Sequence, residues 1–326
     1  MHSDVDRNSR YGLRMRPTKS RHILLGKEVE LDTNTEPDYH QETESGACGQ
    51  FLNSTCIEVM REPSSRGKYR HVLFDFDGTL SLIREGWPEI MIPMMVEILL
   101  TTPDHESEEE LVAVVREYVT RLTGKQTIYQ MFQFAEEITK RGGTALDPLA
   151  YKQMYNDRLM ARIRDRREDL RSGRVDHEEM LVPHSLELLK GLLDRGMSIY
   201  LASGTDEKYV FEEAEMLGLF PYFGRNIHGA QDDHKAFSKA MVIDRILHTN
   251  QVEGHYLLGF GDAYVEIDNV KSAGGDAVGV ASDEAGRSGV SDPWKRARLI
   301  GVGADVIIPD YRECDVLLDY LFAAEE

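Results

Sequence analysis

A chain of 326 residues can form one large domain or two ordinary ones, and its 41% hydrophobic content suffices for a packed core. A formal net charge of −19 excludes a nucleic-acid backbone or an anionic membrane as the expected partner, since both attract basic proteins. Cys48, Cys56 and Cys314 match no zinc spacing, no hydrophobic signal core opens the chain, and no apolar run is long enough to span a bilayer, so a soluble, cytoplasmic protein is expected.

Residues 1–68 are polar and lack sustained periodicity; a largely disordered extension is expected there, with a small hairpin as the alternative. Val72-Leu73-Phe74 is a short apolar run of the kind found in buried parallel strands, and it ends at Asp75-Phe76-Asp77-Gly78-Thr79. From 83 to 181 the pattern is helical almost throughout, with helices expected over 88–100, 107–122, 127–141 and 148–171. The charged run holding Arg162, Arg164, Arg166, Arg167, Glu168 and Asp169 reads as a solvated helix face, and Met91, Met94 and Met95 as core. After 182, strand-like runs at 197–202, 256–260, 277–281 and 305–308 alternate with helical ones at 183–195, 207–217 and 239–248. The expected fold class is α/β: a Rossmann-like parallel-sheet core (69–82 and 182–326) with an all-helical cap (83–181) inserted after its first strand.

In open α/β sheets, ligands bind outside the carboxyl ends of the strands. Four such ends carry reactive residue types. Asp75 and Asp77 are alternating carboxylates leaving a buried strand, costly to desolvate unless a cation or hydrogen bonds compensate; magnesium favours such oxygen ligands. Ser203-Gly204-Thr205-Asp206 precedes a helix and offers a hydroxyl and backbone N–H groups to a phosphate. Lys239 opens the next helix, with Lys235 as a competitor, and Gly261-Asp262 closes a strand with Glu266 and Asp268 following. Taken singly, these are also the residues of ordinary helix caps, turns and solvated lysines.

Their order resembles the haloacid dehalogenase-like (HAD) superfamily, in its phosphatase form. The family pattern is DxDxT, then a Ser or Thr after a strand, then Lys, then an acidic GD-type motif. The resemblance implies that Asp75 is the nucleophile, Asp77 the general acid and base, and Ser203, Gly204 and Lys239 the phosphate-binding groups. It places Mg2+ on the Asp75 side chain, the Asp77 carbonyl and Asp262. Lys239 is preferred to Lys235 because relatives carry this lysine at the start of the helix leading to the GD strand. Glu266 stands where a second aspartate is frequent. The implied activity is hydrolysis of a small phosphomonoester, a sugar phosphate being one candidate, through an aspartyl-phosphate. The alternatives are a phosphomutase using the same nucleophile and a catalytically silent HAD-fold binding subunit. The cap residues Arg84, Lys125 and Gln126 are candidate contacts for the rest of the substrate, or else hinge and turn residues.

Overall fold

The computed structural model describes residues 43–44, 46–231 and 233–323, together with the backbone of 21–24 and 27–30. The chain divides into two units, Met1–Pro37 and Asp38–Glu326. The first contains an antiparallel hairpin of β1 (Arg21–Leu24) and β2 (Lys27–Glu30), in which Arg21 faces Glu30. The other residues of 1–42 lie outside the described residues, and with them most of the expected disordered segment.

The second unit runs β3 (Gln50–Phe51), β4 (Glu58–Val59), β5 (His71–Phe74), α1 (Pro88–Leu99), α2 (Glu108–Arg121), α3 (Thr127–Lys140), α4 (Pro148–Ser172), α5 (Ser185–Asp194), β6 (Ser198–Asp206), α6 (Glu207–Met216), α7 (Phe220–Phe223) and β7 (Ile227–Ala230). It continues α8 (Lys239–Asn250), β8 (Leu257–Gly261), α9 (Tyr264–Ser272), β9 (Asp276–Val280), α10 (Pro293–Gly301), β10 (Val306–Ile308) and α11 (Cys314–Phe322). Eight strands form one sheet in the order β3-β4-β10-β9-β8-β5-β6-β7. Its six strands from β10 to β7 are mutually parallel, while β4 joins β10, and β3 joins β4, antiparallel.

Every residue of β5 is buried, as expected of a central strand covered on both faces, and Phe74 stacks on Phe260 of β8 with ring centroids 4.7 Å apart. The chain steps from β5 outward to β6 and β7, then returns to place β8 on the other side of β5. That reversal opens a crevice at the carboxyl end of β5, where Asp75 begins.

Helices α1 to α4 all fall between β5 and β6 and pack on one another. A Ser107–Glu110 capping box starts α2, and Asp147 caps α4 ahead of Pro148. Met91, Met94 and Met95 are buried among them, in line with the sequence reading. Where the insertion leaves and rejoins the sheet, the Leu82 N–H donates to the Met180 carbonyl and the Val182 N–H to that of Leu80, at 2.9 and 2.8 Å.

Two expectations need correction. Residues 46–68 are not a loose tail: Ile57 is buried, and β4 carries a buried Glu58 paired with Arg296 of α10 at 2.6 Å. Two-residue strands give no periodicity to read, so their order comes from pairing with β10. Nor is the basic run of α4 wholly solvated. Arg166 donates to the Ile83 and Glu85 carbonyls at 3.0 and 2.8 Å, and Arg167, itself buried, pairs with Glu212 of α6. Arg162, Arg164 and Glu168 remain exposed as expected.

Candidate active site

The four strand ends converge. Asp75 leaves β5 buried, and the Lys239 ammonium donates to its Oδ1 at 2.7 Å. Lys239 is brought there because Ser238 caps α8, its Oγ accepting the Met241 N–H, so the lysine occupies the helix's first position. Lys235 stays exposed in the preceding loop. The Lys239 ammonium also pairs with Glu266 from the first turn of α9. Glu266 therefore meets the lysine, and beyond that ion pair its carboxylate accepts no hydrogen bond among the described residues.

Ser203, Gly204 and Thr205 form the irregular end of β6, directly before α6. The register with β7 shifts between Ala202 and Asp206, and such a bulge re-aims side chains from the ladder towards the sheet's end. Ser203 is buried and its Oγ accepts the Thr205 N–H at 3.0 Å, while Thr205 Oγ1 donates to Asp77 Oδ2 at 2.8 Å. Asp77 Oδ1 accepts no hydrogen bond among the described residues; Arg84 Nε lies 3.8 Å away but gives its bidentate pair, at 2.9 Å each, to buried Glu213. Thr205 and Glu213 were missed in the sequence. Thr205 lay inside the singled-out run, whereas Glu213 carries no local signal on its helix.

Burial pushes the Asp75 carboxyl up to about 6, with Lys239 pulling it down and Asp262 pushing it up. Burial likewise raises Asp77 to about 7, opposed by Arg84 and assisted by Glu213.

Asp262 follows β8 and closes over the Asp75–Thr79 turn. Gly78 has φ +74°, and a Cβ there would fall 2.2 Å from Asp262 Oδ2 and 3.0 Å from Glu284 Oε1, so only glycine fits. Lys295 lies 2.7 Å from both Asp262 Oδ2 and Glu284 Oε1. Burial opposes its charge, yet those two acids hold its pKa above the usual lysine range. Burial raises Glu284, Lys295 notwithstanding. Thr79 is fully buried and braces the turn through its carbonyl, which accepts the Tyr311 hydroxyl at 2.8 Å.

Asp75, Asp77, Ser203, Gly204, Thr205, Lys239, Asp262 and Glu284 line one cavity of about 100 Å3, shared with Arg84, Trp87, Met91, Lys125 and Tyr155 from the helical insertion and its approach. The 123–127 loop lies directly on it: a Cβ on Gly204 would meet the Lys125 carbonyl at 2.9 Å, and one on Gly124 would meet Ala263 at 2.7 Å. Of the three candidate cap contacts, Arg84 is engaged by Glu213. The Gln126 amide donates to the His234 and Phe237 carbonyls, at 3.2 and 2.8 Å. Lys125 is exposed and lines the cavity.

The charge balance tests a metal. Six acids (Asp75, Asp77, Glu213, Asp262, Glu266, Glu284) face three bases (Arg84, Lys239, Lys295). An excess of buried negative charge with an orphaned Asp77 Oδ1 suits a hard divalent cation, which carboxylate and carbonyl oxygens prefer. The residues present fit a hard divalent cation such as magnesium.

A family model described as haloacid dehalogenase-like hydrolase matches residues 69–274. No curated protein sequence matches the chain at a significant level. Among solved structures, the chain is similar to a predicted phosphatase from Clostridium acetobutylicum, at 19% identity and a TM-score of 0.51, covering 77% of this chain and 99% of that one. It is also similar to a HAD hydrolase, family IA, variant 3, from Entamoeba histolytica, at 18% identity and a TM-score of 0.52, with the same coverage. A β-phosphoglucomutase from Clostridium difficile aligns at 13% identity and a TM-score of 0.52, covering 78% of this chain and 97% of its own. At these identities the likeness is one of fold.

Proposed function

This chain belongs to the haloacid dehalogenase-like hydrolases, and on that footing we propose that it is a magnesium-dependent phosphatase of small phosphomonoesters acting through an aspartyl-phosphate on Asp75. The observation that carries the reading is the Lys239–Asp75 contact of 2.7 Å at the switch point of the sheet, in a cavity that also holds Asp77, Ser203 and Asp262.

The chemistry follows from placement. Lys239 keeps Asp75 available as a carboxylate despite its burial, so that an oxygen can attack phosphorus. Asp77, held by Thr205, gives its proton to the leaving oxygen, then takes one from the water that opens the acyl-phosphate. The Ser203 hydroxyl, the Gly204 N–H and the Lys239 ammonium hold the phosphoryl oxygens as their charge redistributes. Asp75, the Asp77 carbonyl and Asp262 would hold magnesium, which would supply charge neutralisation at those oxygens. A cavity of about 100 Å3 beneath the 123–127 loop suits a small phosphate ester. We place the enzyme in the cytoplasm with a small phosphorylated metabolite as its partner; among the described residues, no helix is long and apolar enough to cross a membrane.

Phosphate release from p-nitrophenyl phosphate and a panel of alkyl and sugar phosphates, with magnesium and with EDTA, is the test. Magnesium-dependent release supports hydrolysis, and the order of the esters names the substrate class. Isomerisation of a sugar phosphate that requires a bisphosphate activator would make the chain a mutase. No turnover of any ester by folded, magnesium-loaded protein would leave the binding-subunit reading.

A further inference from the structure

Lys295 and Glu284 belong to neither the motif pattern nor the 69–274 match, yet Lys295 reaches Asp262 and pairs with Glu284, which lines the cavity. Lys295 stands in the first turn of α10 and is 8% exposed. Its ammonium donates to Glu284 Oε1 at 2.7 Å and Ser282 Oγ at 3.0 Å, and lies 2.7 Å from Asp262 Oδ2. Ser282 in turn donates to the Gly78 carbonyl at 2.6 Å, so the same cluster props the turn between Asp77 and Thr79. Glu284 lines the cavity beside Asp75 and Asp262, and its Oε1 packs against Gly78.

We propose that Glu284 is a further acidic member of the metal site and that Lys295 is its built-in counter-ion, a fixed positive charge that occupies one oxygen of Asp262 and holds magnesium affinity down. This rests on the reading of Asp262 and Asp75 as metal holders. Two acids this close in a poorly solvated corner repel each other, and the ammonium between them relieves that repulsion whether or not an ion is bound. The ion must then share Asp262 with a like charge. The result is a site whose acids stay neutralised without metal and that fills only as free magnesium rises.

Calorimetric titration of the full-length chain with magnesium chloride, alongside melting curves in EDTA and in magnesium, tests this. Wild-type protein is expected to bind one magnesium ion. Lys295→Met should bind it about tenfold more tightly, melt lower in EDTA and gain more from magnesium than wild type does. Lys295→Arg, which keeps the charge, should stay near wild type. Glu284→Gln should bind about fivefold more weakly, because the ion loses an acid and Lys295 falls back wholly on Asp262. Equal or weaker binding by folded Lys295→Met overturns the proposal, as does unchanged binding by Glu284→Gln; if Lys295→Met does not fold, Glu284→Gln decides alone. Wild-type protein that takes up no magnesium would remove the metal reading itself, a different failure.

Discussion

Two clusters of buried carboxylates sit at opposite ends of the same parallel sheet. At the amino end, Asp276 opens β9 and Asp305 precedes β10. Asp276 accepts the Ser64 and Ser65 N–H groups and the Ser64 and Tyr69 hydroxyls, at 2.8–3.1 Å. Asp305 accepts from Arg61, Lys271 and the Ala277 N–H, at 2.7–2.9 Å. Each acid there is held by several donors, as a structural buried charge must be. At the carboxyl end, among the described residues, Asp77 has an oxygen without a donor, Glu266 accepts only its ion pair with Lys239, and Asp75 pairs with that same lysine at the wall of a cavity. Acids are satisfied by several donors in one place and left in need in the other. That need marks where charge and protons are meant to arrive.

Mutations sharpen the contrast. Asp75→Asn should cut turnover by at least about 10^3-fold while leaving the urea midpoint unchanged or higher, since it deletes a costly buried charge. A fall in stability comparable to the loss of activity would assign Asp75 a structural role instead. At the other end, Asp276→Ala should cost about 3 kcal/mol in urea unfolding, stranding the Tyr69 hydroxyl and two N–H groups, with kcat unchanged for the folded fraction. Thr205→Val should slow alkyl phosphates about tenfold, because Asp77 loses its guide, yet slow p-nitrophenyl phosphate about twofold at most, since nitrophenolate departs without a proton. Equal slowing of both esters would reduce Thr205 to a packing residue.

The smallest effect is one of pH. Asp75 must be ionised, so turnover should fall as pH drops through about 6; Asp77 must carry a proton for an alkoxide to leave, so turnover should also fall as pH rises through about 7. The alkaline limb belongs to alkyl esters and should flatten with p-nitrophenyl phosphate. A pH profile with the same alkaline limb for both would mean that Asp77 does not protonate the leaving group.

What could be read from the sequence was whatever is encoded locally. The run Val72-Leu73-Phe74 ahead of Asp75 announces a buried strand, Ser238 before Lys239 announces a helix start, and the helices of the insertion carry their own periodicity and caps. Long-range partnership was not legible. Arg84 meets Glu213 across 129 positions, and Lys295 reaches Asp262 from a helix whose own pattern gives no reason for it. Strand β7, Ile-His-Gly-Ala, is too short and too polar to stand out, and forms because β6 offers it an edge. Likewise Arg166 and Arg167 look solvated until α4 is laid against α6 and the 83–85 segment.

The short β3–β4 pair has a practical consequence. A truncated chain begun at residue 69 would retain every residue proposed to act on phosphate. It would also lose the two strands that cover β10, whose sequence is Val-Ile-Ile and whose three residues are all buried. An apolar strand with unpaired N–H and C=O groups is a template for a second chain. Such a truncation would fail by self-association, soluble when dilute and precipitating as it is concentrated, with its chemistry still intact in each molecule.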